Sequence, residues 1–311
     1  MKCLVTGGAG FIGSNLVDEL VNQGHEVTVL DNLSTGLKEN INPAAQLIEA
    51  DIRNLEAIRP AFAGQDWVFH LAALPRVQLS IEDPLTSHDI NINGTLNVLT
   101  AAREAKIKKL VYSASSSAYG NQEAMPLKET MLPSPISPYA VQKYVGEHYA
   151  RNFSLLYGLP TVSLRYFNAY GPRLAMSGGY VTVIAVFLQQ KRDGKNMTIT
   201  GDGTQTRDFT YVGDIVRANV LAAQSDRVGQ GEVLNIGGGQ NYSVNDIAQK
   251  IGGVAEYLPP RVEPHDTLAD ISRARELIGW EPLIGIDEGL RNTIVWFVDN
   301  ARKKLAERFG L

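Results

Sequence analysis

Lys2-Cys3-Leu4-Val5-Thr6-Gly7-Gly8-Ala9-Gly10-Phe11-Ile12-Gly13 opens the chain, and its reading decides the fold. Residues 2–6 are a short apolar run, the glycines follow at once, and an amphipathic segment then closes at Gly24. A second apolar run, Glu26 to Leu30, ends in Asp31. In physical terms the order is strand, glycine turn, helix, strand, acid. The spacing Gly7-x-x-Gly10-x-x-Gly13 tightens the turn, lets backbone approach a pyrophosphate and lets the helix pack on its strand. Helix amides from Phe11 through Ile12 and Gly13 then face the phosphates at the positive end of the dipole. Asp31 stands where a carboxylate accepts hydrogen bonds from an adenosine ribose and repels a 2′-phosphate. The stretch predicts dinucleotide binding, with NAD favoured over NADP.

Outward from this unit, strand-like runs alternate with helical ones: Leu47 to Ala50, Asp66 to His70 and Lys109 to Ser113, with helices expected over about 54–62, 86–105 and 139–157. That rhythm predicts an α/β fold, a Rossmann-type doubly wound parallel sheet with right-handed crossovers. Ligands in such sheets bind beyond the carboxyl ends of the strands. Those ends read Asp51-Ile52, Leu71-Ala72-Ala73 and Ser113-Ala114-Ser115-Ser116-Ser117. After Asn168 the alternation loosens into Gly/Pro-rich loops before an apolar helix at about 179–192, which predicts a smaller α/β lobe. Val233 to Ile236 reads as a strand returning to the main sheet. The expected division is therefore 1–167 for the dinucleotide-binding domain and 168–311 for the second lobe, interleaved.

Composition narrows the function classes. At 311 residues, 44% hydrophobic and 20% charged, the chain has ample length and apolar content for a buried core. A net charge of −4 and the lack of a dense basic stretch argue against nucleic-acid or membrane partners. Lys106, Lys108 and Lys109 make the nearest thing to a cluster, and they are expected at a helix C-terminus, where cations suit the dipole. The single cysteine, Cys3, lies in the first strand and reads as a buried, inert thiol. No run reaches the roughly 18 apolar residues of a membrane span, and the glycines interrupt any leader-like core. A cytoplasmic protein is expected, and no motif suggests a metal.

Two further features carry chemistry. The serine run follows a strand directly, so its hydroxyls stand in the predicted cleft. Tyr139-Ala140-Val141-Gln142-Lys143 follows Pro135 and Pro138, which suit a helix start, so Tyr139 and Lys143 share one face a turn apart. A lysine ammonium and a nearby nicotinamide cation both favour phenolate. Such a tyrosine can take a proton from a sugar hydroxyl while hydride leaves the same carbon, with a serine hydroxyl positioning the oxygen.

Together the glycine turn, the Ser115 loop and Tyr139-x-x-x-Lys143 resemble the extended short-chain dehydrogenase/reductase family, and within it the NAD-dependent nucleotide-sugar 4-epimerases. Leu164-Arg165-Tyr166-Phe167-Asn168, Gly201-Asp202-Gly203, Arg207-Asp208-Phe209 and Gly279-Trp280-Glu281-Pro282 match family signatures in order, so the resemblance covers essentially the whole chain. It implies NAD contacts at Asp31, Asn32, Ser34, Asp51, Ile52, Ala72, Asn91, Lys143 and Tyr166. It implies catalysis by Ser115 with Tyr139 as acid/base, and a nucleotide-diphosphate clamp of Asn168, Arg207 and Arg261. Paired arginines suit that clamp because guanidinium presents two donors to phosphate oxygens.

The resemblance also frames the substrate. Related dehydratases and decarboxylases carry an acid in the loop where this chain has Ser115-Ser116-Ser117, so elimination and decarboxylation are disfavoured. Thr267 falls on a sugar-pocket position near the 2-substituent, where threonine leaves room for an N-acetyl group. The expectation is a UDP-sugar 4-epimerase acting on UDP-GlcNAc/UDP-GalNAc and on UDP-glucose/UDP-galactose. Arg76, in Pro75-Arg76-Val77-Gln78, could instead meet a sugar carboxylate, which keeps a UDP-glucuronate 4-epimerase as the alternative. A non-catalytic NAD-binding regulatory protein is the alternative of another class. The family pairs two long helices across a twofold axis, so a homodimer is expected.

Overall fold

Near-continuous apolar runs, the mark of strands buried on both faces, become one parallel sheet. The computed structural model describes residues 1–75, 77–175, 182–260 and 265–309, with side chains to residue 302. Arg76 and Arg261 lie outside the described residues, as do Ser177-Gly178-Gly179. The strands β1 (Lys2–Thr6), β2 (Glu26–Asp31), β3 (Gln46–Glu49), β4 (Trp67–His70), β5 (Lys109–Ser115) and β6 (Thr161–Tyr166) are joined at the β6 edge by a late strand, Gln230–Ile236. The order across the sheet is β3-β2-β1-β4-β5-β6 and then the late strand, with every pair parallel. The order in which the chain crosses the sheet reverses between β1 and β4, which opens a crevice at the carboxyl ends of those two parallel strands.

Alternation along the strands divides the core. The helices are α1 (Phe11–Asn22), α2 (Leu55–Phe62), α3 (Val77–Glu82), α4 (Pro84–His88), α5 (Gly94–Glu104), α6 (Pro138–Tyr157), α7 (Val183–Arg192), α8 (Val212–Gln224), α9 (Val244–Ile251), α10 (Ser272–Ile278) and α11 (Ile286–Phe309). Val5, Val29 and Leu164 face Leu16 and Leu20 of α1 and Ile215 of α8. Leu4, Leu30 and Leu110 face the opposite way, onto Phe62 of α2, Leu99 of α5 and Phe153 of α6. A third cluster joins α7, α9 and α11 through Phe187, Ile247 and Leu290 around Tyr170. The strands of this region are short pairs, such as Met197–Thr200 with Ala255–Leu258. The Rossmann-type sheet with a smaller α/β lobe is thus the architecture of the chain.

Three local expectations are corrected. The helix expected over 86–105 is interrupted: α4 ends at His88, a wide π-helical turn spans Asp89–Asn93, and α5 begins at Gly94. The Thr95 hydroxyl takes the Asn91 carbonyl at 2.7 Å, and the side-chain amide of Asn91 reaches away from the helix to Leu74 and Gln142. Lys109 is no helix-terminal cation. It lies buried in β5 and donates to the Ser225 and Val228 carbonyls at 2.6 and 2.5 Å, bonds that satisfy an ammonium taken out of water. The strand expected to end at Ser113 runs on through Ser115, and a single 3₁₀ turn follows over Ser116–Tyr119.

Candidate active site

The glycine turn is built by exclusion of side chains. Gly7 has φ of +73°, and a Cβ there would lie 2.6 Å from the Ala72 amide nitrogen; one on Gly13 would lie 2.1 Å from the Gly7 carbonyl oxygen. No other residue allows β1, α1 and the loop after β4 to approach so closely. Gly10 caps α1 without a side chain to occupy the first-turn amides, and no acidic residue stands in that turn. Those amides are left for an anion.

A cleft of about 780 Å³ opens beyond this turn. Every residue expected to contact the cofactor lines it except Asn91. Buried Asp31 lines the cleft and accepts the Ala9 and Leu33 amides at 3.0 and 2.8 Å, one on each carboxylate oxygen, so each oxygen keeps a further lone pair. Asn32 donates to Asp51 at 2.8 Å, and Arg53 grips Asp51 by two bonds of 3.0 and 2.8 Å. Those bonds from Arg53 hold the Asp51 carboxyl at about 2, well below the usual carboxylate range. Asn91 stands behind the cleft wall. Its amide accepts from the Leu74 N–H at 2.7 Å and donates to Gln142 at 2.8 Å, fixing the loop that does line the cleft.

Tyr139 and Lys143 reach the same cleft from the start of α6. Ser137 caps that helix by accepting the Ala140 amide, and Pro138 occupies its first turn, so the sequence sets the helix to begin there. The Tyr139 amide donates to Ser80 Oγ of α3 at 3.0 Å. Lys143 is buried, its Nζ donating to the Ser113 carbonyl at 2.7 Å and lying 5.1 Å over the Tyr112 ring. Burial pulls this lysine down to about 8, against the opposing pull of Glu147 one turn on. Behind it, His70 bridges Thr6 (2.8 Å) and Thr95 (3.0 Å), and burial drives it down to about 3, so the ring is neutral.

A second group begins where that cleft ends. Ser115 pairs with Tyr166 across β5 and β6, and Tyr166 lines the cleft. Ser115 Oγ accepts the Ser117 amide at 3.2 Å and the Ser117 hydroxyl at 2.9 Å, which leaves its own proton to donate outward. Two residues past Tyr166, Asn168 donates to the Asp208 carbonyl (2.8 Å) and to Thr267 Oγ1 (3.5 Å). Thr267 Oγ1 also accepts the Asp208 amide at 3.3 Å, and Arg207 donates to the Thr206 and His265 carbonyls at 2.9 Å. The structure therefore bonds Asn168 to Thr267 and ties Arg207 to the same segment through His265, and none of the three is among the residues that line the dinucleotide cleft.

The family model for the NAD dependent epimerase/dehydratase family matches residues 3–237. The chain belongs to that family. The UDP-glucose 4-epimerase of Thermotoga maritima, solved with UDP-glucose, is 40% identical and superimposes with a TM-score of 0.92, covering 97% of this chain and 100% of that one. A UDP-N-acetylglucosamine 4-epimerase from Methanobrevibacter ruminantium M1, solved with UDP-N-acetylmuramic acid, is 38% identical with a TM-score of 0.90, covering 96% and 98%. A UDP-glucuronate 4-epimerase of Thermodesulfobacterium geofontis is 37% identical over 96% of each chain. The cleft fits NAD: a turn without side chains, free helix amides and an acid with open lone pairs match pyrophosphate and ribose.

Four contributors escaped the sequence reading. Gln142 gathers Asn91 and Ser87, both at 2.8 Å. It sits inside Tyr139-x-x-x-Lys143, a motif whose chemistry is carried by its two ends. Arg53 follows Asp51 by two residues, and that proximity was its signal. Arg173 lines the cleft, pairs with Asp18 of α1 at 2.6 Å and holds φ of +66°. Trp296 of α11 lines it too, from a part of the chain no motif marks.

Proposed function

We propose that this chain is an NAD-dependent UDP-sugar 4-epimerase that accepts UDP-GlcNAc/UDP-GalNAc as well as UDP-glucose/UDP-galactose. The observation that carries the reading is Tyr139 and Lys143 in one cleft, with Lys143 anchored by Ser113 beside it. NAD, when bound, supplies the acceptor and later the donor for the hydride at sugar C4. Tyr139, as phenolate, takes the proton of the 4-hydroxyl and returns it after the sugar has presented its other face. Lys143 supports the phenolate electrostatically. Ser115, its oxygen already accepting from two donors, donates a hydrogen bond to the C4 oxygen and holds it in reach of Tyr139. Asn168 and Arg207 hold the nucleotide end while the sugar turns, with Arg261 as a further diphosphate ligand. Asp208 stiffens this end, its carboxylate accepting the Gly238, Gly239 and Ala269 amides.

Thr267 is the gate for the sugar 2-substituent in this reading. It is small and tied down at its hydroxyl, which leaves room beside it. UDP-glucuronate is the competing substrate, through Arg76. A regulatory NAD-binding protein is the competing class, and an intact Ser115, Tyr139 and Lys143 set argues against it. A cytoplasmic homodimer, and domains divided near residue 167, go with the proposal.

The test is chromatographic: purified protein with no added cofactor, given UDP-GlcNAc, UDP-glucose or UDP-glucuronate separately. Conversion of the first two to their C4 epimers is expected, with Tyr139→Phe reducing the rate at least about a hundredfold. Turnover of UDP-glucuronate alone would move the assignment to Arg76. Silence on all three with NAD supplied would favour the regulatory reading.

A further inference from the structure

Tyr139, Lys143 and Glu147 follow one another at four-residue intervals, so one face of α6 carries all three. The third has no part in the chemistry proposed above. Glu147 is buried and bound by both arms of Arg165, Nε to Oε1 at 2.9 Å and Nη2 to Oε2 at 2.7 Å, and each side chain is only 3% exposed. A buried ion pair of this kind costs desolvation and is weak evidence of stability in itself. Arg165 extends the connection. Its guanidinium lies 4.6 Å over the ring of Tyr119, the residue that ends the serine turn, and Tyr119 Oη donates to Asn235 at 2.7 Å. One ion pair thus touches both the helix that carries Tyr139 and the turn that follows Ser115.

We propose that Glu147, clamped by Arg165, is the counter-charge that keeps Lys143 an ammonium in the dry interior, and so positions the charge on which Tyr139 depends. The inference rests on the epimerase reading. The other groups around Lys143 do not supply this charge. On its own helix, Tyr139 precedes it and His148 lies beyond Glu147. From β4 comes His70, which is neutral. Tyr112 of β5 and Tyr166 of β6 are held protonated by burial, and Arg165 of β6 is cationic. Glu147 is the carboxylate that acts on Lys143 among the described residues. Burial pushes Glu147 up while Arg165 pulls it back, and the two-armed geometry keeps the pair ionised.

The sign of the effect separates this role from a structural one. Glu147→Gln removes the anion and leaves Arg165, so Lys143 should lose its proton at lower pH. Arg165→Lys keeps a cation on Glu147 but breaks the two-armed fit, so Glu147 stays ionised and Lys143 should not titrate lower. A purely structural pair would fail the same way from either side. The experiment is turnover against pH for the holoenzyme, with thermal unfolding at pH 6.5 as the check on folding. In Glu147→Gln the alkaline limb should move down by about one unit, which lowers the rate at pH 8, relative to that at pH 6.5, about fourfold. Glu147→Asp should recover part of the shift. If Glu147→Gln does not fold, Glu147→Gln/Arg165→Met leaves no unpaired buried charge and should shift the limb in the same direction.

Titration of the Lys143 Nζ signal in ¹⁵N-lysine-labelled protein, assigned by its loss in Lys143→Met, reads the same effect without turnover. A lower Lys143 midpoint in Glu147→Gln supports the proposal. An unchanged midpoint, or an equal downward shift in Arg165→Lys, overturns it. A wild type that epimerises none of the UDP-sugars overturns the functional reading instead, and the Nζ titration still decides the counter-charge.

Discussion

At the residue scale, the cleft rests on buried groups that touch no ligand surface, and His70 is the clearest. Its neutrality lets it bridge Thr6 and Thr95, while Thr6 in turn accepts the Ala72 amide at 3.3 Å and fixes the loop along the cleft. Burial lowers the ring from 6.5 to about 3, so the unfolded chain binds this proton more tightly than the folded one. The stabilisation is therefore complete above pH 6.5 and is lost as pH falls from there toward 3. Within that window His70 should contribute a slope of up to about 1.4 kcal/mol per pH unit. Urea unfolding at a series of pH values checks this: His70→Gln should flatten the dependence by up to one proton, and equal slopes would refute the assignment. Nothing in the sequence marked His70, because a lone histidine at a strand end looks alike whether it is packed, ligating or exposed. Gly7, Gly13 and Asp31 were legible for the opposite reason, since their spacing has few other physical uses. Asn91 was half legible. The π-helical turn that turns its amide away from the cleft depends on Gln142 and Leu74, which no local pattern ties to it.

At the scale of the element, α6 is the organising piece, and its position against β5 is set by one glycine. A Cβ on Gly146 would fall 2.1 Å from Tyr112 Oη and 2.5 Å from its Cζ, so the helix lies against the Tyr112 ring only because nothing projects there. Tyr112 has no room to yield. Its ring is fully buried and lies under Lys143 Nζ, and its hydroxyl donates to the Lys143 carbonyl at 3.4 Å. Overpacking at such a contact costs about 1–3 kcal/mol, beyond the small gain alanine brings to a helix interior. Gly146→Ala should therefore lower the unfolding free energy in urea and also depress turnover, because the displaced helix carries Tyr139 and Lys143. Stability equal to or above wild type would show that α6 has slack here. The start of this helix was readable from Pro135, Pro138 and the Tyr139-to-Lys143 interval, and the strands from their apolar runs. The break at Asp89–Asn93 was not, since its cause is a set of hydrogen bonds to α6 and to the loop before α3.

At the scale of the whole molecule, the exposed apolar side chains are unevenly spread. On α6, Val141 is 43% exposed and is followed by half-buried Tyr144 and Val145 and by His148, which stacks edge-on to Tyr144 at 4.5 Å. These positions recur at three and four residues, and so form one stripe on the side of the helix away from the core. The α6 residues turned inward, Ala140, Gly146, Ala150 and Phe153, are buried. A half-apolar stripe rimmed by polar groups suits a self-complementary twofold contact, in which the same helix meets its copy. Leu85 of α4, a helix that packs against α6, is also 84% exposed. The expected outcome is a dimer by light scattering at micromolar concentration. Val141→Glu/Tyr144→Glu should give a monomer that still unfolds cooperatively, because both side chains leave the core untouched. Retention of NAD by that monomer would place the cofactor cleft within one chain, as its lining implies. A wild type that scatters as a monomer would reject the pairing and leave the stripe as ordinary surface. The catalytic geometry does not depend on which result is found, since Tyr139, Lys143 and the glycine turn come from one copy.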